Sequence, residues 1–199
     1  TVLEKFNQRE LLTILGHELG HAIAGHSDVP IRAMLDSGGH VLSTLDAYKL
    51  MALSRYQEIT ADRASLLCSQ DYALAAGCLL KSASGVTSGA LQFSLPDYLT
   101  QLEEIKTLDD VADSSEDWFA THPFSPLRVK AMELFSRSDG FRRLTGTGDG
   151  RLSMSEIEAK LDEIMSIMNP SYLAATDEES QRQIKEWLAT ASVLVAMAS

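Results

Sequence analysis

Positively charged residues are scarce in this chain of 199 residues, since 17 lysines and arginines stand against 28 aspartates and glutamates, and the net charge is -11. Nucleic acids and anionic lipid surfaces both require basic patches, so the charge argues against both as partners. Long apolar runs are also missing, because no stretch approaches the roughly 18 residues that a membrane-spanning helix needs. We therefore expect no nucleic-acid partner and no membrane span in this chain, and any membrane anchoring would have to come from segments outside it.

Cysteine is nearly absent as well. The two thiols, Cys68 and Cys78, lie in apolar helical surroundings and are expected to be buried and reduced, which favours a reducing compartment. No signal peptide is visible, although the chain opens on Thr1. These features favour a cytoplasmic location, or a membrane-associated one if the full-length protein carries an anchor. Nothing in the sequence predicts the oligomeric state.

The best-specified element that the sequence does contain is a helix in residues 7–26. Asn7 is a good N-cap, and Glu10 completes a capping box. An apolar arc, expected to face a core, consists of Leu11, Leu12, Leu15, Leu19, Ala22 and Ile23. A stripe of small residues consists of Thr13, Gly16, Gly20 and Ala24. Because a glycine inside a helix costs about 1 kcal/mol relative to alanine, Gly16 and Gly20 predict the close approach of another backbone.

This helix carries the motif HELGH, with Glu18 between His17 and His21. Histidines four residues apart stack on one helix face, where two neutral imidazoles can bind one tetrahedral zinc ion. Glu18 then points towards a water held by the metal and can act as its general base. The motif therefore predicts a zinc peptidase, although HExxH alone also occurs in unrelated helices.

A catalytic zinc site needs a third protein ligand and one open position for water. In the metzincin spacing HExxHxxGxxH, the third ligand follows the second histidine by six residues. Ser27 occupies that position here, so this class is excluded. His26 comes one residue earlier, and we interpret it as a histidine at the helix end rather than as a ligand.

The next predicted helix, about residues 43–69, is apolar nearly all round but carries Glu58 and Asp62, one turn apart on one face. Carboxylates are rarely buried unless they are paired or bound to metal. Glu58 is therefore a candidate third ligand, and Asp62 can accept the free imidazole N–H of a ligating histidine. A structural alternative stays open, in which the two acids pair with Arg55 or Arg63.

A third motif, THP, places His122 in a loop just before a short predicted helix. Ser125 and Pro126 are expected to be the N-cap and the first residue of that helix. Arg128 then falls in the first turn, where the helix dipole disfavours a cation. We therefore expect Arg128 to have an acidic partner.

These motifs, in this order, resemble those of the HtpX-like and CAAX-prenyl-protease-like gluzincins, which are zinc metallopeptidases. The resemblance covers roughly residues 7–136 and rests on HExxH, on ExxAD at residues 58–62, and on THP followed by an arginine six residues after its histidine. The roles that it implies are Zn²⁺ ligation by His17, His21 and Glu58, general-base catalysis by Glu18, oxyanion stabilisation by His122, and support of the ligands by Asp62 and Arg128.

The expected fold is mainly α, with a gluzincin-type zincin core in residues 1–138 built on the active-site helix and the glutamate-bearing helix. The β-sheet that precedes the active-site helix in such enzymes is expected to be largely absent from this chain. Residues 27–40 are expected to form a loop, because Pro30 and a glycine pair interrupt them. Residues 139–199 are expected to form a small all-α segment, which resembles part of a TerB-like helical module.

The predicted function is that of a zinc-dependent metalloendopeptidase that hydrolyses peptide bonds of protein or peptide substrates. An alternative from another class is a non-catalytic, zinc-stabilised interaction module whose acidic helical tail docks a protein partner. Glu18 discriminates between the two, because a structural zinc site has no use for a general base.

Overall fold

The computed structural model describes residues 2–37, 43–85, 94–107 and 120–168. In this part of the chain the α-helices are α1 Val2–Lys5, α2 Gln8–Ile23, α3 Ile31–Ser37, α4 Thr44–Ser69, α5 Tyr72–Ser84, α6 Leu95–Thr107, α7 Ser125–Ser136, α8 Asp139–Thr145 and α9 Met154–Met165. Short 3-10 turns follow at His26–Asp28 and Ser166–Met168. No strand occurs in the described ranges, where one isolated β-bridge joins Ser138 to Leu152. The predicted mainly-α fold is therefore confirmed.

Helices α2 and α4 form the central pair of the fold. The Asn7 side chain accepts hydrogen bonds from the first turn of α2, and Glu10 completes the predicted capping box. Gly20 packs directly on α4, since a Cβ atom added there would lie 2.7 Å from Ala64 Cβ and 3.0 Å from Ala61 Cα. This confirms that the glycines of α2 admit a second helix at close range.

The apolar arc of α2 does not face a core in the described part of the molecule, so that expectation was wrong. Leu12, Leu15, Leu19 and Ile23 are 50%, 58%, 54% and 73% exposed. The buried residues of this helix are instead Thr13, Gly16 and Gly20. The reason is geometric, because the narrow stripe of small residues allows the closest helix contact and turns the arc outward.

Helix α4 follows the prediction closely. Ser43 caps its first turn, and Gln70 ends it in a left-handed conformation with φ 51°. Ile59 and Leu66 on this helix are almost completely buried. The two cysteines are free, and Cys78 on α5 is buried, but Cys68 at the end of α4 is exposed, contrary to the expectation.

Residues 27–40 were expected to form a loop, but the chain forms α3 within them. Pro30 precedes the helix and does not interrupt it, which is where proline is best tolerated. Ile31 packs with Leu50 and Leu53 of α4. Burial of the Ile31 side chain therefore accounts for α3, which was not predicted because Pro30 and the glycine pair indicated a loop.

Helix α7 is buried along most of its length and packs against α4, α5, α6 and α9. Its N-cap is Phe124, one residue before the predicted Ser125, with Pro126 in the first turn. Phe141 of α8 joins Leu66 in one apolar cluster. None of the helices in the described ranges is long and apolar enough to cross a membrane.

Helix α9 begins after a glycine-rich turn and is capped by Ser153 and Glu156. The tail from residue 169 onward lies outside the described residues. The domain boundary at residue 138 and the TerB-like character of residues 139–199 stay predictions.

Candidate active site

The HELGH motif lies within α2, where both histidines face the cleft beside α4. Helical spacing brings their rings together, with the Nε2 atoms of His17 and His21 3.2 Å apart and the ring centroids 4.8 Å apart. Burial lowers the pKa of His21, and the His17 ring acts in the same direction, although the Glu58 carboxylate opposes both. A lowered pKa favours the neutral imidazole, which is the form that ligates a metal.

Glu58 on α4 completes a triangle of ligand atoms with these two nitrogens. Its Oε2 lies 3.6 Å from His17 Nε2, and its Oε1 lies 3.5 Å from His21 Nε2. Zinc binds imidazole nitrogen and carboxylate oxygen at about 2.0–2.2 Å, so two tetrahedral ligands stand about 3.3–3.5 Å apart. These separations, one from each Glu58 oxygen to a different histidine, are close to the spacing of ligands around one Zn²⁺ ion, and the donor set of two imidazoles and one carboxylate is one that zinc uses.

Asp62, one turn after Glu58, lies behind the triangle. Its Oδ1 is 3.1 Å from His17 Nδ1, so it accepts the N–H of the ring nitrogen that faces away from Glu58. Arg128 of α7 donates two hydrogen bonds to the same carboxylate, each 2.7 Å long. The guanidinium also lies 3.1 Å from Glu58 Oε2. Arg128 therefore has the acidic partner expected from its place in the first helical turn.

The charges in this cluster support each other. Burial raises the pKa of Asp62, but the hydrogen bonds from Arg128 and His17 lower it by more, so the carboxylate stays ionised. Burial likewise lowers the pKa of Arg128, and its bonds to Asp62 together with the nearby Glu58 charge raise it by more. Of the alternative partners named for these acids, Arg63 binds Glu158 of α9, and Arg55 donates to the Ala120 carbonyl.

His122 lies at the mouth of the site with 64% of its side chain exposed, and its Nε2 is 3.5 Å from Glu58 Oε1. Thr121 Oγ1 lies 2.9 Å from His122 Nδ1. Helix α4 holds this loop through Ser54, which the sequence did not single out, and Arg55, which it offered only as a partner of Glu58 and Asp62. Ser54 donates to the Thr121 carbonyl at 3.0 Å, and Arg55 donates to the Ala120 carbonyl at 3.2 Å. The available signal was the cation Arg55 on a helix that is apolar nearly all round.

His26 lies at the end of α2, as expected, and does not join the ligand triangle. Its Nδ1 is 2.7 Å from His21 Nδ1, the nitrogen on the far side of that ring from His17. Burial, with the nearby His21 and His17 rings, lowers the pKa of His26 to about 4. The neutral His26 ring can therefore accept a hydrogen bond.

A cavity of about 400 Å³ opens on the triangle. Glu18 of α2 lines it beside the two histidines of the motif, and Arg128 of α7 and His122 of the preceding loop also line it. Its far wall is mostly apolar and includes Ala75, Cys78 and Leu79 of α5. The arrangement places three candidate metal ligands, an adjacent carboxylate and a hydrogen-bond donor around one open space.

The helical frame and the group of His17, His21 and Glu58 are those of the helical part of a zincin-like metallopeptidase domain. This is the class of protein to which the described residues belong. The chain belongs to peptidase family M48, whose family model matches residues 1–135. This match confirms the family predicted from the three motifs. It ends before the C-terminal segment, whose TerB-like character stays a prediction.

A curated relative supports the same assignment. Over 173 residues the chain is 25% identical to the plastoglobule-localized metallopeptidase 48, chloroplastic, of Arabidopsis thaliana, with 79% of this chain and 49% of that protein covered. The chain thus spans about half the length of this relative. No solved structure matches the chain.

Proposed function

We propose that this chain carries the catalytic site of a zinc-dependent metalloendopeptidase that hydrolyses peptide bonds of protein or peptide substrates. The observation that carries the proposal is the triangle of His17, His21 and Glu58, with Glu18 beside it in the same cavity. Membership of family M48 supports the peptidase class. Zn²⁺ held by the triangle would polarise the scissile carbonyl and lower the pKa of a water towards about 7.

Glu18 is the general base in this proposal. Its carboxylate takes a proton from the attacking water and delivers it to the nitrogen of the leaving amine. The residue is exposed to the cavity and follows directly after a ligand histidine on the same helix. The carboxylate is therefore within reach of a water beside the triangle, but it is not one of the three ligands.

His122 stabilises the oxyanion that develops on the carbonyl oxygen of the substrate. For this role the Nε2 atom must carry the proton, and a Thr121 hydroxyl that donates to Nδ1 selects that tautomer. Removing such a donor typically lowers kcat by about 10²–10³-fold. The exposure of His122 to the cleft suits a group that meets the substrate rather than the core.

Asp62 and Arg128 act as positioning residues. Asp62 holds the N–H of His17 and so orients its Nε2 towards the other ligands. Arg128 fixes Asp62 with two bonds and also contacts Glu58. The Arg128 guanidinium thus connects Asp62, which is the hydrogen-bond partner of His17, to the carboxylate of Glu58.

The variant Glu18→Gln tests the proposal. It should retain one zinc per chain by elemental analysis and lose cleavage of a quenched fluorescent peptide that the wild-type protein cleaves. Glu163→Gln, an exposed substitution on α9, is the matched control and should keep both properties. Retained cleavage in Glu18→Gln contradicts the mechanism, and bound zinc without turnover in the full-length protein favours the non-catalytic interaction module.

The location of the protein stays a prediction. The cytoplasmic expectation rests on composition, whereas the name of the Arabidopsis relative places that protein at plastoglobules of the chloroplast. Imaging of the full-length protein with a fluorescent tag decides between a cytoplasmic and an organellar or membrane-associated location. Substrate sequence and partners also belong to the full-length protein.

A further inference from the structure

We propose that His26 is a positioning residue that holds the His21 imidazole in the tautomer and orientation needed for metal binding. The inference rests on the metal site of the proposed function and adds to it a residue that the family motifs HExxH, ExxAD and THP do not contain. It accounts for a histidine that lies beside the site but outside the ligand triangle.

The tautomer of His21 follows from its ligand role. If Nε2 ligates the metal, a neutral ring must carry its proton on Nδ1, and that N–H needs an acceptor. His26 Nδ1 lies within hydrogen-bond distance of His21 Nδ1, at 2.7 Å. His26 therefore accepts this bond through the lone pair of Nδ1 and carries its own proton on Nε2.

The two ligand histidines are supported in parallel ways. His17 donates its outer N–H to Asp62, a buried carboxylate, whereas His21 donates its outer N–H to a second imidazole. The His26 ring stands edge-on to the His21 ring, with centroids 4.8 Å apart and an interplanar angle of 76°. The contact fixes both the rotation of the ring and the position of the proton.

The backbone at the end of α2 brings His26 to this place. The helix stops at Ile23, and Gly25 adopts a left-handed conformation with φ 63°. That conformation carries little cost for glycine and is unfavourable for residues with a Cβ atom. The chain therefore turns back at Gly25, and His26 returns over the last turn of α2 to His21.

A pair of substitutions separates the hydrogen bond from the packing of the ring. His26→Asn keeps an acceptor at the place of Nδ1 without the ring, and His26→Phe keeps a ring without the acceptor. We expect His26→Phe to weaken zinc affinity by roughly 10–100-fold, the effect typical of lost outer partners of metal ligands. His26→Asn should stay within about three-fold of the wild-type protein, because it restores the acceptor.

The measurement is competition for Zn²⁺ between the whole chain and a chromophoric chelator of known affinity. The visible spectrum of the Co²⁺-loaded protein is a second readout, expected to change in His26→Phe and to match the wild type in His26→Asn. Ser27→Ala, on the exposed neighbouring residue, is the control and should bind zinc like the wild type. Circular dichroism of the metal-free variants verifies that each one folds.

The outcomes distinguish this proposal from the proposed function. Unchanged zinc affinity in His26→Phe overturns the role of His26, and so does an equal loss in both His26 variants, because ring packing would then be the cause. A wild-type chain that binds no zinc overturns the metal site as well. Weaker zinc affinity in His26→Phe together with near wild-type zinc affinity in His26→Asn supports the proposal, even if the protein proves not to cleave peptides.

Discussion

At the residue scale, the strongest electrostatic constraint in the protein is the pair of Asp62 and Arg128. Asp62 is 3% exposed, and both of its oxygens accept hydrogen bonds from the guanidinium. A buried charge whose partner is removed is strongly destabilising, because the desolvation cost is no longer offset. The site therefore depends for its stability on the same contact that orients the ligands.

We expect Arg128→Met to lower the free energy of unfolding by about 3–5 kcal/mol, since it leaves the Asp62 carboxylate buried without its cation. Urea unfolding followed by circular dichroism measures this change. Arg9→Met is the matched control, because Arg9 pairs with Asp71 on the surface and such pairs contribute less than about 1 kcal/mol. Equal losses in the two variants would contradict the importance assigned to the buried pair.

A second prediction at this scale concerns His122. His122→Ala should lower kcat by about 10²–10³-fold with little change in KM, because the donor acts on charge that develops only in the transition state. Steady-state cleavage of a quenched fluorescent peptide measures both constants, and elemental analysis should find the zinc content unchanged. A raised KM at unchanged kcat would assign His122 to substrate binding instead.

At the scale of elements, the contact of α2 with α4 determines where the proposed metal ligands meet. Gly20 directly precedes His21 and lies against the backbone of α4 at Ala61. The facing stretch of α4 carries Glu58 and Asp62 at either side of this contact. A change in the distance between these helices therefore changes the distance between the ligand nitrogens and the Glu58 carboxylate.

Gly20→Ala should destabilise the protein by about 1–3 kcal/mol, although alanine favours helices, because the new methyl overpacks a rigid contact. The measurements are the melting temperature and the affinity for Zn²⁺, and both should fall. Gly77→Ala is the matched control in α5, where a Cβ atom would meet nothing within 4 Å. It should stabilise the protein by up to about 1 kcal/mol. Stabilisation by both substitutions would contradict the close contact.

At the scale of the whole molecule, α2 is tied to α5 as well as to α4. Lys81 of α5 lies 3.0 Å from the Glu10 carboxylate, which also accepts the backbone N–H of Asn7. Burial raises the pKa of Glu10, but the Asn7 and Lys81 hydrogen bonds and the lysine charge lower it by more, so the net direction is down from 4.5. This contact links the start of the active-site helix to the far wall of the cavity.

The lowered pKa predicts how stability depends on pH. A carboxylate with a folded-state pKa below its unfolded value stabilises the fold above about pH 4.5, and the contribution is lost as the pH falls through the folded-state pKa. The melting temperature of the wild type should therefore exceed that of Glu10→Gln near neutral pH, with the gap closing below pH 4.5. In a Lys81→Met background the gap should be smaller throughout. A constant difference in melting temperature between the wild type and Glu10→Gln from pH 7 to pH 3 would contradict the prediction.

Much of the site could be predicted from the sequence, because its information is local. His17 and His21 are four residues apart and therefore share one face of α2. Glu58 and Asp62 share one face of α4 for the same reason. The capping residue Asn7 likewise acts on the turn beside it. Such features need no knowledge of distant contacts, so the start of α2, the extent of α4 and the candidate ligands follow from the chain itself.

Features that depend on which faces meet could not be predicted in the same way. The sequence determined that α2 has one apolar face and one face of small residues, but only the tertiary structure decided that the small face packs on α4. It also decided that Gly25 turns His26 back to His21, and that Ser54 and Arg55 hold the loop of His122. Periodicity tells which residues share a face, whereas the partner of each face is decided by packing between segments distant in the chain.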